Sequence, residues 1–482
     1  MKPLKIFNSL SGNLEDFQPV SKPFLIGLYT CGPTVYSHTH IGHLRTYVIE
    51  DIFKKNLTHN GFLVEHAMNI TDVGHLTSDG DIGDDKIEKQ AKKENKSAYQ
   101  IANFYTKDFF WNLKQLNITS PNIIATVTGN IKEQITLIQK LEKKGYIYKT
   151  SDGMYFDTSK VEEYKTLFNQ NKDNLKSDDR IENANEKKNP TDFAVWKFSP
   201  KNEKRQMEWK SPWGIGFPGW HTECVAISTK HLGKLFDIHC GGVDHIPVHH
   251  PNEIAQSLAL NNTTLAKYWM HIGFLLKNSE KMSKSTGNFD RLVDLINKGY
   301  HPLALRYFIL NSNYRKTTDF SYEALTSSQN ALFSIYEFAD KIKAIKKLAI
   351  FKKIKIIKNS DNAMLLEKYR TDFFDHLNDD LNTPKALETL WGFINEINKN
   401  IFQFAPNQIL DILLDFDKVL DLKIVKRKTS KIPFKIKILA QKRFKAKKKK
   451  DFALSDKIRE TISNLGFQIN DYQTFYTISK KQ

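Results

Sequence analysis

The apolar run FLIGLYT (24–30) stops at CGPT, and from Ile41 onward the positions Ile41, Leu44, Val48 and Ile52, with Ile49 and Phe53 beside them, share one helical face. An apolar run this short reads as a strand buried on both sides, and such strands need helices to cover them. The unit is therefore strand, loop, helix, and it recurs. FLVEHAMNITDV (62–73) reads as a second strand, followed by a polar, glycine-bearing loop to Asp85 and a helical region to about residue 115. KLFDIHCGG (234–242) is strand then loop, VHHPNEIAQSLAL (248–260) a helix, and YWMHIGFLL (268–276) a strand. Between these halves, residues 120–215 have another texture. Helix-like TGNIKEQITLIQKLEKKGYIY gives way to GMYFD and then to NQNKDNLKSDDRIENANEKKNP (169–190), which is too hydrophilic to pack and reads as a loop or flexible excursion. Strands alternating with helices on both sides of an insert predict an α/β chain with a doubly wound parallel sheet. From about residue 320 the pattern is mostly helical and ends in a small basic module.

The chain has 482 residues, room for about three domains, and its 40% hydrophobic content suffices for a sizeable core. The N-terminal stretch MKPLKIFNSLSGNLEDF lacks the apolar segment of a signal peptide, and no uncharged run approaches a membrane span. The expectation is a cytoplasmic protein without membrane contact. Three widely spaced cysteines, Cys31, Cys224 and Cys240, argue for reduced thiols and metal ligation rather than a disulfide framework. The net charge of +18 is uneven. Residues 341–482 hold 31 Lys and Arg against 16 Asp and Glu, a net of +15, densest in KRFKAKKKK (442–450). Such a surface suits a polyanion such as nucleic acid, and it equally suits a solvated lysine-rich face.

Two motifs resolve that ambiguity. His40-Ile41-Gly42-His43 opens a helix, where unpaired backbone N–H groups and the helix dipole attract phosphate and a glycine permits close approach. Lys281-Met282-Ser283-Lys284-Ser285, on a loop after the last strand, carries two point cations able to neutralise charge developing on a triphosphate. HIGH and KMSKS together resemble the paired signature of class I aminoacyl-tRNA synthetases. The segments YTCGPTVY, AMNITD (67–72), SPWGIGFPGWHTEC (211–224), DIHCGGVD (237–244), HHPNEIAQS (249–257), EKMSKSTGNF (280–289), DDLNTPKAL (379–387) and KDFALSDKIRETISNLGFQIND (450–471) resemble, from end to end, the cysteinyl-tRNA synthetase family.

That resemblance implies a Rossmann-like catalytic domain in two halves, 1–119 with HIGH and 216–318 with the KMSKS loop. It further implies a connective insert at 120–215, a helical tRNA- and anticodon-binding domain at 319–430, and a small basic anticodon-binding module at 431–482. The implied reaction is activation of L-cysteine by Mg²⁺-ATP to cysteinyl-adenylate, then transfer to the 3′ end of tRNA(Cys), by a monomer and without an editing domain. One Zn²⁺ per chain is expected on Cys31, Cys224, His249 and Glu253. Of these, His249 and Glu253 are i, i+4 and share a helix face, and the set is acceptable zinc chemistry. Serine is nearly isosteric with cysteine, and pocket shape alone discriminates by only about 1–3 kcal/mol. A soft metal–thiolate bond supplies what shape cannot.

Trp220 is expected as an apolar wall beside the cysteine side chain, with His239 in the same pocket. Thr34, His40, Gly42, His43, Gly241, Asp244 and Lys284 are expected at ATP. His40, His43, Lys281 and Lys284 are the catalytic set, Lys284 being the principal cation. Several positions depart from the family pattern. Cys240 stands where glycine is usual and could compete for the metal, His250 could replace His249, and Phe217 stands where arginine is common. The segment 72–86 is expanded. Two rival readings share these motifs: a ligase joining activated cysteine to an amino sugar, and a non-catalytic tRNA-binding paralogue. The first lacks a full anticodon-binding region, and the second would be expected to lose some motif residues.

Overall fold

The computed structural model describes residues 2–20, 23–73, 85–169, 186–200, 205–282, 287–350, 360–427, 432–471 and 475–480. The chain divides into two compact units, one of residues 1–330 and 371–389, the other of 331–370 and 390–482.

In the first unit, strand β1 (Leu25–Thr30) leads through the CGPT turn into helix α1 (Ile41–His59). Strand β2 (Leu63–Ile70), helices α2 (Lys86–Glu94) and α3 (Ala98–Gln115), and strand β3 (Ile123–Thr126) follow. The expected loop between β2 and Asp85 falls largely outside the described residues. Helix α4 (Ile131–Lys143) precedes an antiparallel sheet of β4 (Ile147–Lys149), β5 (Gly153–Phe156), β6 (Phe193–Phe198), β7 (Trp209–Ser211) and β8 (Gly214–Pro218), in the order β4-β5-β6-β8-β7. Most of the hydrophilic 169–190 tract also lies outside the described residues. The chain then returns with α5 (Trp220–Leu232), β9 (Phe236–Gly242), α6 (His249–Asn261) and β10 (Ala266–Ile272).

The central sheet runs β10-β9-β1-β2-β3, all parallel. Leu28 to Thr30 pair with Ile238 to Cys240 on one side, and Leu25 to Thr30 with Leu63 to Met68 on the other. Strand β3 lies inside the range expected for the insert, yet it hydrogen-bonds to β2 as the sheet's edge. Sequence order reverses between β9 and β1, because the first half of the chain builds outward from β1 and the second half from β9. The crevice at the carboxyl ends of those two strands is where ligands bind in such sheets.

Helix α1 is covered far beyond one apolar stripe. Arg45, Glu50, Asp51, Lys54 and Asn56 are buried along with Ile41, Leu44, Val48 and Ile52. Buried polar groups need partners, and most here have them. Arg45 donates to the carbonyls of Asn313 and Lys316, and Asp51 accepts from Thr119 N, Lys55 Nζ and Arg306 Nη2 at 2.9, 2.6 and 2.6 Å. Beyond β10, β11 (Leu275–Lys277) pairs in parallel with β12 (Thr318–Phe320), and helices α7 (Leu292–Asn297) and α8 (Pro302–Leu310) lie between them. The remainder is mainly helical: α9 (Tyr322–Ile350), α10 (Ser360–Asn378), α11 (Thr383–Lys399) and α12 (Pro406–Leu420). The last elements are α13 (Phe434–Lys448), α14 (Phe452–Asn464) and the hairpin β13 (Phe467–Asp471) and β14 (Tyr476–Lys480). They enclose a small core of Ile436, Ala440, Ile462, Phe467 and Ile469.

Candidate active site

A cavity of about 320 Å³ opens at the point where strand order reverses. Cys31, just past β1, and Gly241 and Gly242, at the end of β9, form part of its wall. Trp220 and Cys224 enter from the first turns of α5, His249 from the start of α6, and His43 from the start of α1.

Side chains from three elements converge at the base of the cavity. One ligand atom each from Cys31, Cys224, His249 and Glu253 lies within 4.8 Å of all the others, and all four residues are buried. His249 Nε2 stands 3.5 Å from Cys224 Sγ and 3.0 Å from Glu253 Oε1. Glu253 Oε1 nevertheless lacks a hydrogen bond of proper angle, so a buried acceptor faces a ring nitrogen unsatisfied. The hydrogen bond with Cys31 pulls the Cys224 thiol down to about 6 against its burial, while burial pushes Cys31 well up. Burial alone would raise Glu253, but His239 and His249 outweigh it and bring the carboxyl to about 2. Two thiols, an imidazole and an ionised carboxylate facing one point are a donor set that fits zinc.

The surrounding side chains hold this set in place. His221 Nδ1 lies 2.9 Å from His249 Nδ1, and His239 Nε2 lies 2.9 Å from Glu253 Oε2, so both side chains are oriented from behind. The Trp220 ring stacks on His249 with centroids 4.1 Å apart and lines the cavity. His239 is fully buried, stacked on Trp269, and absent from the lining. The sequence reading places it in the amino-acid pocket; the structure puts it one layer behind, against Glu253. His250 joins a second set with Cys31, His239 and Glu253, its Nε2 3.6 Å from Cys31 Sγ and its Nδ1 2.7 Å from His271 Nε2. Cys240 enters neither set among the described residues. Its backbone carbonyl instead accepts from Cys31 N, 3.3 Å away.

At the start of α1, His40 is the cap, its Nδ1 accepting from His43 N. The two imidazoles stack 3.6 Å apart, which presents His43 to the cavity. Gly42 does not line the cavity. A Cβ there would come within 2.9 Å of the His40 ring, so the glycine makes room for the cap. Gly241 does line it, with a Cβ position 2.6 Å from His245 Nδ1. Thr34, Asp244 and Lys281 also line the cavity, Lys281 Nζ lying 3.9 Å from Asp244 Oδ2 and over the Phe274 ring. Lys284 lies outside the described residues. Sequence reasoning missed Tyr36, Thr46, Tyr47, Asn69, Lys86 and His245 as lining groups. Lys86 closes the expanded 72–86 segment and joins Lys281 as a second cation in the described lining, and its place in that segment was the one available signal.

Comparison with known proteins adds an independent line. Residues 17–330 match the family model described as tRNA synthetases class I (C) catalytic domain, and residues 372–420 match a DALR domain. The chain is 42% identical to Cysteine–tRNA ligase 1 of Burkholderia lata, over 97% of this chain and 95% of that one. It is 40% identical to the Cysteine–tRNA ligase of Treponema denticola, over 97% and 98%. Among solved structures, Mycobacterium tuberculosis methionyl-tRNA synthetase in complex with methionyl-adenylate superposes with a TM-score of 0.60 at 14% identity, covering 83% of this chain and 90% of that one. At that identity the likeness is one of fold.

Proposed function

Because this chain belongs to the family of cysteine–tRNA ligases, class I synthetases that charge tRNA(Cys) with cysteine, we propose that its cavity activates L-cysteine with Mg²⁺-ATP and selects it through a zinc site of Cys31, Cys224, His249 and Glu253. The observation that carries the proposal is the convergence of those four donors beside a cavity that His43 and Lys281 also line. When bound, zinc supplies a soft Lewis acid that prefers a thiolate to a hydroxyl, and so separates cysteine from serine. Trp220 walls the side-chain pocket, and His239 acts as a positioning residue by holding Glu253.

In the activation step a cysteine carboxylate oxygen attacks the α-phosphorus of ATP. An O–P bond forms, the Pα–O bond to the β-phosphate breaks, and pyrophosphate leaves. Catalysis is by positioning and by charge stabilisation. His40 fixes the start of α1, His43 and the helix N-terminus face the phosphates, and Lys281 and Lys284 supply the cations. Thr34, Gly241 and Asp244 flank the nucleotide. In the second step a terminal ribose hydroxyl of the tRNA attacks the acyl carbon, and AMP leaves.

The test is transfer of labelled cysteine to total tRNA by the purified protein, with a serine control. Cysteine-only charging is expected. Cysteine-dependent ATP–pyrophosphate exchange without charging would point to another acceptor, such as an amino sugar, and loss of both would favour a tRNA-binding paralogue.

A further inference from the structure

Helix α3 (Ala98–Gln115) buries Ile101, Ala102, Tyr105, Phe109 and Leu113 and turns a very different face outward. Gln100, Phe104, Lys107, Trp111 and Lys114 are all exposed. At about 100° per residue they fall within an arc of about 80°, a stripe about 15 Å long from Phe104 to Lys114. Phe104 is 46% and Trp111 39% exposed, unusual for large aromatics, and neither is needed to fill the core. Lys96, paired with Glu94 at 2.7 Å, also places its ammonium 5.1 Å from the Phe104 ring centroid. The stripe itself has no acid. Asp108, the acid next to Lys107 on the helix, is engaged by His38 Nδ1 at 3.0 Å.

The stripe adjoins the cavity. The His38 ring meets Phe104 and Tyr105 edge-on, with centroids 6.0 and 5.1 Å away, and the residues on either side of it, Ser37 and Thr39, line the cavity. Aromatic faces interleaved with lysines are the features that hold unpaired nucleotides: rings stack on bases while cations track phosphates. An acidic protein surface would use the lysines, but it gives no comparable reason for two exposed rings in register with them.

We propose that this face of α3 is a stacking track for the single-stranded 3′ end of the tRNA as it enters the cavity, with Phe104 and Trp111 under bases and Lys107 and Lys114 on phosphates. The inference rests on the tRNA-charging reading above.

Two measurements test it. In the variant Lys107→Ala/Trp111→Ala/Lys114→Ala, KM for tRNA should rise about ten- to a hundredfold, the loss expected for a stacked base and its phosphates. Cysteine-dependent ATP–pyrophosphate exchange, which needs no tRNA, should be unchanged, and Trp111→Phe alone should keep most of the tRNA affinity. Unchanged tRNA kinetics in the triple variant would overturn the proposal and leave the face to a protein partner; an equal fall in exchange would overturn it as a folding effect. The second measurement is filter binding of a short single-stranded RNA ending in CCA. It reads the track even if the wild type charges no tRNA: weaker binding by the triple variant supports the proposal, and equal binding refutes it.

Discussion

Cys31 and Cys240 are both buried thiols near the end of a strand, and only their surroundings separate them. Cys31 shares a point in space with Cys224, His249 and Glu253, whereas Cys240 belongs to no such group among the described residues. Cys31→Ser should therefore lower zinc content and cysteine activation together, since it removes a thiolate ligand. Cys240→Ser should keep the full metal content; measuring both by metal analysis and pyrophosphate exchange checks the assignment. A loss of zinc in the Cys240 variant, or none in the Cys31 variant, would reverse it. Two pairs are ambiguous in sequence, Cys31 against Cys240 and His249 against His250, because only the packing of distant elements decides which side chains meet.

At the scale of elements, α1 carries His43 into the cavity, and its middle is tied down by charge. Asp51 and Arg306 are both fully buried, 2.6 Å apart, and Lys55 completes the pairing. Asp51→Ala would leave Arg306 buried without its carboxylate, a loss of about 3–5 kcal/mol, readable as a lower denaturant midpoint. Burial opposes ionisation of Asp51, but Arg306 and Lys55 outweigh it and hold the carboxyl below its ordinary range. The stability Asp51 contributes is therefore present above the ordinary carboxylate value of about 3.9 and lost as pH falls through the lowered folded value. Asp417 in α12 behaves oppositely. Burial pushes it up to about 6 even though it accepts from Leu422 N and Ile424 N. The stability linked to its protonated form is complete below about 3.9 and lost as pH rises through about 6. Asp417→Asn should flatten that fall between about pH 4 and 6 in chemical denaturation, and an unchanged slope would refute it. Neither effect is visible in the sequence, where both residues look like surface aspartates on amphipathic helices.

For the whole molecule, charge distribution is the property that matters most. Within KRFKAKKKK, Arg443 is buried and makes two bonds to Asp471 at 2.6 and 2.7 Å, so it serves the fold of the last module. Lys442, Lys445, Lys448 and Lys449 are exposed. Replacing those four by Gln should weaken tRNA binding and flatten its salt dependence by about 0.9 in log–log slope for each duplex phosphate they no longer neutralise. Pyrophosphate exchange should not change; an unaltered slope would mean the lysines face only solvent. The parallel strands, the helix opened by HIGH and the basic C-terminal region were legible in the chain itself, because apolar periodicity, turn residues and charge are local properties. Where the site lies was not, since β9 and β1 are some two hundred residues apart and become neighbours only in the sheet. Nor was the retreat of His239 behind Glu253, the arrival of Lys86 in the cavity or the wide burial of α1. Each depends on which surfaces meet when distant elements pack, and that is decided by tertiary structure alone.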